Sequence, residues 1–528
     1  YQASIELLPL VRVGEILSQK YHIVVTNPPY MSNKGMTAKL SKFVQNNYPD
    51  SKSDLFACFI EQCMNMTKRN GYNAMITQHS WMFLSSYQKL REKMLLNETV
   101  NMAHLGARAF EEIGGEVVQT TAFVRRSGAT INGYKGTYCR LIAANSEKGK
   151  EELFLQHNNE YNIAQDDFKK IPGSPIAYWE NQAFFDSFSG KLLGDVYETK
   201  KGMFTGNNDY FLKEWYEIAY NKFGHEFLSY NKGGGFRRWY GHNNVVVRWH
   251  NNGQEIKNSK GAGNINEEYY YKTCLSWNLV STAPFCCRIV QENNVMGDAG
   301  PICLIEKDDK YYYYLLGYLN SSVCNSYMAV LNPTMNYPSG IVAKLPVTFD
   351  DEQLDIINKL VRECIEISRR DWDAVETSWG FQRNPLCVNE PNIEKAFLSW
   401  KRECENRFNQ LKSNEEQLNK IFINIFDVED VPWEVADENI EISSKHADLN
   451  SDIKDFISYA VGGMFGRYSL DVNGLAYAGD NWCDANYSTF IPDSDAIIPI
   501  CDDEYFDDDI VGRFIKFVEV VYGKESHE

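Results

Sequence analysis

No run of this 528-residue chain approaches the length of a bilayer-spanning segment. A membrane protein is therefore not expected. The thirteen cysteines include no CxxC pair and no Cys/His cluster at zinc spacing, and their number is odd. That pattern fits a reduced cytosolic protein better than a disulfide scaffold and gives no metal site. Cys286-Cys287, the adjacent pair, reads as two packed thiols. Walker loop, GxSxG and HExxH are all absent, and no nuclease, ATPase or protease constellation is evident. Internal repeats and low-complexity tracts are missing too. The chain starts at Tyr1 without an initiator Met or a basic-then-apolar leader, and reads as a piece of a longer protein.

What is present fits a folded multidomain chain. Apolar residues make up 44% and charged residues 23%, and 528 residues suit about two to four domains. The net charge of −18 is unevenly spread. Residues 426–528 hold 24 Asp+Glu against 6 Lys+Arg, leaving 47 of each in the remainder (71 − 24 and 53 − 6). Residues 1–425 are thus neutral overall and can carry basic patches. The tail, with Asp502-Asp503-Glu504 and Asp507-Asp508-Asp509, should be repelled by phosphate and free for protein contacts.

Segment 21–127 alternates short apolar strands (YHIVVT 21–26, NAMIT 73–77, VVQTTAFVRR 117–126) with amphipathic helices near 54–69 and 85–96, which predicts a sheet flanked by helices. Gln2–Ser18 reads as a helix packed against that sheet. From about 195 to 345 the texture turns to Gly, Asn, Tyr and Trp with short strands, as in an irregular α+β recognition domain. Residues 351–370 and 393–422 carry helical periodicity and predict a two-helix spacer. The domains expected are 1–150, a connector 151–194, 195–349, the spacer 350–425 and an acidic α+β tail 426–528.

Asn27-Pro28-Pro29-Tyr30 follows YHIVVT directly, at the carboxyl end of a predicted parallel strand, where α/β sheets place their sites. An exocyclic amine that attacks a methyl group needs acceptors for its two hydrogens. The Asn27 side-chain carbonyl and the Pro28 backbone carbonyl can be those acceptors, with Pro28 and Pro29 stiffening the loop. Tyr30 offers a flat ring on which an extruded base can stack.

NPPY after a strand resembles motif IV of the DNA amino-methyltransferases, and its Tyr resembles the adenine-N6 group. Asp54-Leu55-Phe56, opening a helix, resembles the next motif, which implies a part for Asp54 in shaping the cofactor pocket; a plain helix N-cap is the alternative. GYNAMIT (71–77) with Trp81 resembles the strand behind the site. GARAF (106–110) resembles the element that supplies a second aromatic wall, with Phe110 as the matching ring or else an ordinary loop aromatic. The resemblance implies a Rossmann-like fold and S-adenosylmethionine as cofactor. In such enzymes a Gly-rich cofactor loop precedes NPPY. Here the 26 residues before Asn27 contain one glycine, Gly14, so this chain reads as the second half of the catalytic domain and should bind the cofactor poorly by itself. Gly233-Gly234-Gly235 cannot substitute, since it runs into Phe236-Arg237-Arg238-Trp239 instead of a helix start.

Lys200, Lys201, Arg237, Arg238, Trp239, Tyr240, His242 and Arg248 interleave cations with aromatics, a pattern suited to double-stranded DNA; solvated charges and buried rings are the alternative. The texture from KGMFTGNND (201–209) to PTMNYPSGIVAKLPV (333–347) resembles target-recognition domains of Type I specificity subunits and Type IIG enzymes. GNND, GGGFRRWYG, SYAVGGMFGRYSLD (458–471) and IIPICDDEYFDDDIVGRF (497–514) resemble the PglX family, the adenine methyltransferases of BREX bacteriophage-exclusion systems, along nearly the whole chain. That resemblance implies self-marking by N6-adenine methylation together with other BREX proteins, and a family chain extending beyond both ends of this one. YAVGGMFGRYSL reads as core or as a docking face. A Type IIG restriction enzyme, a non-catalytic DNA-recognition module and a protein glutamine methyltransferase remain the alternatives.

Overall fold

The apolar runs of the first 165 residues pair into one mixed sheet. The computed structural model describes residues 2–110, 118–128, 130–479, 482–501, 505–506 and 508–524. It divides into two units, Tyr1–Lys191 with Tyr327–Pro333, and Leu192–Ser326 with Thr334–Glu528.

In the first unit the strands are β1 (Tyr21–Thr26), β2 (Thr67–Gln78), β3 (Glu98–Gly106), β4 (Thr120–Arg126), β5 (Lys135–Arg140) and β6 (Glu160–Ala164), in the order β1-β2-β4-β3-β5-β6. β1 runs parallel to β2, and β4 is antiparallel to both β2 and β3. The carboxyl ends of β1, β2 and β3, at Thr26, Gln78 and Gly106, therefore share one edge of the sheet. Helices α1 (Gln2–Ser18), α2 (Ala38–Asn47), α3 (Leu55–Met66) and α4 (Gln88–Met94) accompany it. Period-two alternation sorts the strand residues by face. Met75, Met102, Phe123 and Tyr138 fall on one face and are buried; Phe56, Ile60 and Cys63 of α3 and Leu90 and Met94 of α4 are buried as well. The opposite face carries Ile23 and Val25, which are 68% and 69% exposed.

Five expectations need correcting in this unit. Helix α3 ends at Met66 because β2 starts at Thr67, six residues before NAMIT. The helix near 85–96 shortens to Gln88–Met94, preceded by a 3-10 turn at Ser85–Tyr87. The supposed connector 151–194 contributes β6, which pairs antiparallel with β5 and completes the sheet. Helix α1 forms but leaves Ile5, Leu8, Leu10 and Val13 exposed, so it does not pack on the sheet as expected. The strand read from Val117 begins at Thr120; Val117 itself lies outside the described residues.

The second unit begins with two four-stranded sheets. One is built from β8 (Leu212–Glu214), β9 (Phe227–Asn231), β10 (Val245–Arg248) and β13 (Asn294–Met296), and the other from β7 (Thr199–Lys200), β11 (Cys274–Trp277), β12 (Cys287–Val290) and β14 (Ile302–Leu304). Met203, Tyr230, Val247, Trp249, Cys274, Val295 and Ile302 form a buried cluster. Helix α5 (Tyr312–Asn320) lies against α6 (Leu354–Trp372) and α7 (Ile393–Phe426), the pair foreseen as a spacer. Close approach is possible because position 317 is glycine: a Cβ there would stand 2.9 Å from Val361 Cγ2. Along α6, Ile357, Leu360, Val361, Cys364 and Ile365 are buried at helical spacing. Each full aliphatic side chain so buried contributes about 1.5–3 kcal/mol.

Helices α8 (Leu449–Met464) and α9 (Ile510–Tyr522) close the chain through Phe456, Tyr459, Ala460, Met464, Tyr468, Phe490 and Phe517. YAVGGMFGRYSL is thus interior packing at Tyr459, Ala460, Met464 and Tyr468. The α+β expectation for the tail is corrected: among its described residues only helices and irregular segments occur. Apolar residues there recur at helical and not strand period, and residues 471–500 are broken by Gly, Pro, Asp and Ser. Asp502, Asp503, Glu504 and Asp507 lie outside the described residues. All thirteen cysteines are free thiols, Cys286 and Cys287 both buried.

Candidate active site at the carboxyl edge of the first sheet

Strand β1 delivers Asn27 to the sheet edge. Thr26 pairs with Met75, and Asn27 continues the alternation of Ile23 and Val25, so it stands at the end of the open face. Asn27 and Pro29 are exposed, Pro28 is buried and Tyr30 is half-buried. A cavity of about 860 Å³ spreads across that face, lined by Val25 and Asn27, by Ala74 and Ile76 of β2, and by Ala103 and Ala122 of the neighbouring strands, among others. Its lining is mainly apolar, as small-molecule sites are, with Asn27 at one end.

The loop is held from behind. The Tyr30 hydroxyl donates to the Ile76 carbonyl oxygen at 3.4 Å, and its ring meets Phe56 edge-on, with centroids 6.1 Å apart and planes at 83°. Burial pushes the phenol up to about 12, so it stays protonated. Asp54 caps α3 by accepting from the Phe56 N–H at 3.3 Å, and the same oxygen, Oδ1, accepts from the Met31 N–H at 2.9 Å. Burial raises its carboxyl pKa, opposed by the N–H groups of Met31, Phe56 and Leu55. Asp54 is therefore the N-cap that its position allowed, and it also anchors the residue after Tyr30. Phe110 is half-buried, four residues beyond the end of β3; the ring partner that the structure gives Tyr30 is Phe56. Among the described residues no Gly-rich turn leads from a strand into a helix N-terminus, and the residues around Asn27 do not by themselves make a nucleotide cradle.

The sequence reading missed one chain of linked side chains on this edge, half-buried at His79 and buried at His104 and Tyr178. His79, just past β2, has Nδ1 2.8 Å from Nε2 of His104 near the end of β3; His104 Nδ1 is 3.0 Å from the Tyr178 hydroxyl. Burial lowers His79 to about 4 and His104 to about 3, the latter also through its neighbour His79, so both rings are neutral at pH 7. Residues 79, 104 and 178 are separated by 25 and 74 positions, and no short motif could signal them.

The basic and aromatic set of the second unit divides sharply. Lys201 is exposed, its Nζ 3.8 Å from Asp298. Lys200 lies over the Tyr269 ring at 5.1 Å. Arg248 is half-buried, with Nε 3.0 Å from Glu255 and its guanidinium 5.3 Å from the Tyr210 centroid. Arg237, Arg238, Trp239 and Tyr240 are buried, which corrects their expected role as DNA contacts. Arg237 donates to the Tyr240 carbonyl at 2.8 Å and to Asp371 at 3.0 Å. Arg238 pairs with Glu415, which also accepts from the Trp239 indole N–H at 2.6 Å. Arg369 lies over the Tyr240 ring at 5.0 Å. His242 packs edge-on against Trp372, and burial lowers it to about 3; it is a neutral packed ring and not a phosphate contact. Cations spaced among aromatics occur on solvated surfaces and in buried ion-pair networks alike, and only the partners on α6 and α7 tell them apart.

Residues 6–108, which contain Asn27–Tyr30 and Asp54, match the family model of the Eco57I restriction-modification methylase. The chain is 41% identical over 99% of its length to the adenine-specific methyltransferase PglX of Lacticaseibacillus casei strain Zhang, covering 46% of that protein. It is 37% identical, also over 99% of its length, to the adenine-specific methyltransferase BrxX of Escherichia coli O9:H4 strain HS, covering 45%. The chain is similar to these two proteins along nearly all of its own length and spans just under half of theirs. A solved structure of the Type IIL restriction-modification enzyme MmeI in complex with DNA is similar at 12% identity and a TM-score of 0.45, over 82% of this chain and 57% of that one.

Proposed function

We propose that the protein to which this chain belongs is an S-adenosylmethionine-dependent DNA methyltransferase that modifies adenine N6. It would mark self DNA within a BREX anti-phage system and work with other proteins of that system. The observation that carries this reading is the placement of Asn27 at the exposed carboxyl end of β1, with the Tyr30 ring fixed beside it by Ile76 and Phe56. The names of the two relatives support it.

In this reading the amine of an extruded adenine donates its two hydrogens to Asn27 Oδ1 and to the Pro28 carbonyl oxygen. Those bonds draw the lone pair out of conjugation and aim it at the donor. The tandem prolines and the Met31–Asp54 bond keep the acceptors from drifting, and Tyr30 stacks on the base with Phe110 as the other wall. When bound, the cofactor supplies an electrophilic methyl group. Neither acceptor is charged, so the loop orients the amine and the proton that the nitrogen sheds on methylation leaves to solvent.

The domain assignment proposed is a Rossmann-like catalytic part that includes β6, a DNA target-recognition part from about 195 to 349, a helical spacer and an acidic tail module. Lys200, Lys201 and Arg248 are the phosphate contacts proposed. The test is transfer of labelled methyl from S-adenosylmethionine to unmethylated DNA by the full-length gene product. Label on adenine N6 is expected; label on another atom, or DNA binding with no transfer in the presence of its partner proteins, would overturn the reading.

A further inference from the structure

The second unit holds an aromatic-lined pocket that the methyl-transfer reading does not use. Its volume is about 600 Å³, with a smaller lobe of about 260 Å³ sharing several of its walls. Three segments distant in sequence meet there: the 3-10 turn at Trp215–Glu217, the connector after α6, and the loop that follows α8. Trp215 and Trp379 stack with centroids 4.6 Å apart, and the Trp215 indole N–H donates to the Thr377 carbonyl at 2.8 Å, which fixes the pair. Tyr220, Tyr468 and Tyr477 add walls, Tyr220 being exposed at the rim.

The polar groups there are of both signs. The Glu376 carboxylate lies beside Tyr468, Ser458 and Arg467, and burial raises its pKa against their pull. Two buried atoms, Glu376 Oε1 and Trp379 Nε1, have no hydrogen-bond partner within the protein. Unmet buried acceptors and donors are costly, and a ligand that supplies one of each removes both penalties. A simple organic cation would satisfy the carboxylate and the rings but would leave the indole N–H unmet and face Arg467. A purely apolar guest would satisfy neither polar atom.

From these walls we infer that the pocket is a nucleotide site: a base stacks on the aromatic rings, its N–H and ring acceptor meet Glu376 and Trp379, and Arg467 takes the phosphate. Flat rings beside the unmet acceptor and donor and one guanidinium match a mononucleotide part by part, the Asp455 carboxylate on the same wall offers a further acceptor, and the volume is of the size that encloses one. The ligand is either a free nucleotide or one unpaired nucleotide of a strand. This site is independent of the proposed methyl transfer.

Calorimetric titration of the full-length protein with AMP, GMP, CMP and TMP, with adenosine, and with a short single-stranded oligodeoxynucleotide tests it. Saturable binding of at least one mononucleotide or of the oligonucleotide is expected. Arg467→Ala should weaken a mononucleotide about tenfold or more and adenosine far less, since it removes one charge-assisted contact to phosphate. Tyr220→Ala, at an exposed position, should weaken both, and Asn27→Ala neither. A mononucleotide that binds by itself marks the source as free nucleotide; binding of the oligonucleotide alone marks it as a strand. No saturable binding of any of these would overturn the site. So would binding indifferent to both Arg467→Ala and Tyr220→Ala, binding abolished by Asn27→Ala, or a preference for tetramethylammonium over every nucleotide.

Discussion

One oxygen of Asp54 joins two elements: Oδ1 caps helix α3 through the Phe56 N–H and, at 2.9 Å, accepts the N–H of Met31. The Leu55 N–H returns the tie by donating to the Met31 carbonyl at 3.0 Å. The loop after Asn27 is thereby pinned to the start of a buried helix, whose position Phe56 and Ile60 fix in the interior. Position 54 holds the loop through its backbone.

Asp54→Ala is therefore expected to cost about 1–2 kcal/mol of stability, the usual worth of an N-cap, and to lower methyl transfer by more than the folded fraction explains. Asp54→Asn, which keeps an acceptor oxygen, should recover most of both. Urea unfolding and transfer assays on the same preparations check this, and an Ala variant with wild-type turnover would separate the cap from the loop.

The ion pair of Arg238 and Glu415 is buried and shares its carboxylate with the Trp239 indole. Removing either partner leaves an uncompensated buried charge, at about 3–5 kcal/mol. Arg238→Met and Glu415→Leu should each destabilise the protein by that order, and the double variant by clearly less than their sum. Denaturant unfolding in a double-mutant cycle reads the coupling.

Lys201 and Arg237 should behave differently on DNA. Lys201→Ala at the surface should weaken DNA binding modestly and lower the log–log salt slope by about one contact, whereas Arg237→Ala should lower stability and leave the slope unchanged. Binding isotherms across a salt series decide this; a slope change in Arg237→Ala alone would reverse the assignment.

The His79–His104 pair makes stability depend on acid. Burial lowers both below their unfolded value, to about 4 and about 3, so below about pH 6.5 the unfolded chain binds protons that the folded one refuses. Stability should fall as pH drops from about 6.5 to about 4, by at most about 1.4 kcal/mol per pH unit for each ring. Ring-proton NMR should find both imidazoles neutral at pH 5.5, and either one titrating near 6.5 would contradict the buried placement.

The strand that ends at Asn27 was legible because its information is local: an apolar run, then Asn27 and two prolines, and the parallel pairing of β1 with β2 follows the expected pattern. The α6–α7 pair was legible for the same reason, since helical period is written within a few turns. What failed depended on distant partners. Arg237, Arg238 and Trp239 read as surface contacts until Asp371 and Glu415, more than 130 residues away, take their charges and the indole proton. The strand Glu160–Ala164 read as connector because its five residues show no alternation and gain their place only by pairing with β5. The Trp215–Trp379 stack joins residues 164 positions apart in irregular segments, where no periodicity points to a shared pocket.

The most direct test of the role proposed for the Asn27–Tyr30 loop is methyl transfer to DNA by the full-length protein carrying Asn27→Ala, beside the wild type and Asn27→Asp. Asn27 is exposed, so folding should survive both changes, as circular dichroism and the melting temperature will report. The account predicts no label on adenine N6 with Ala, and measurable transfer with Asp, which keeps an acceptor oxygen in place. Normal turnover by the Ala variant would contradict it.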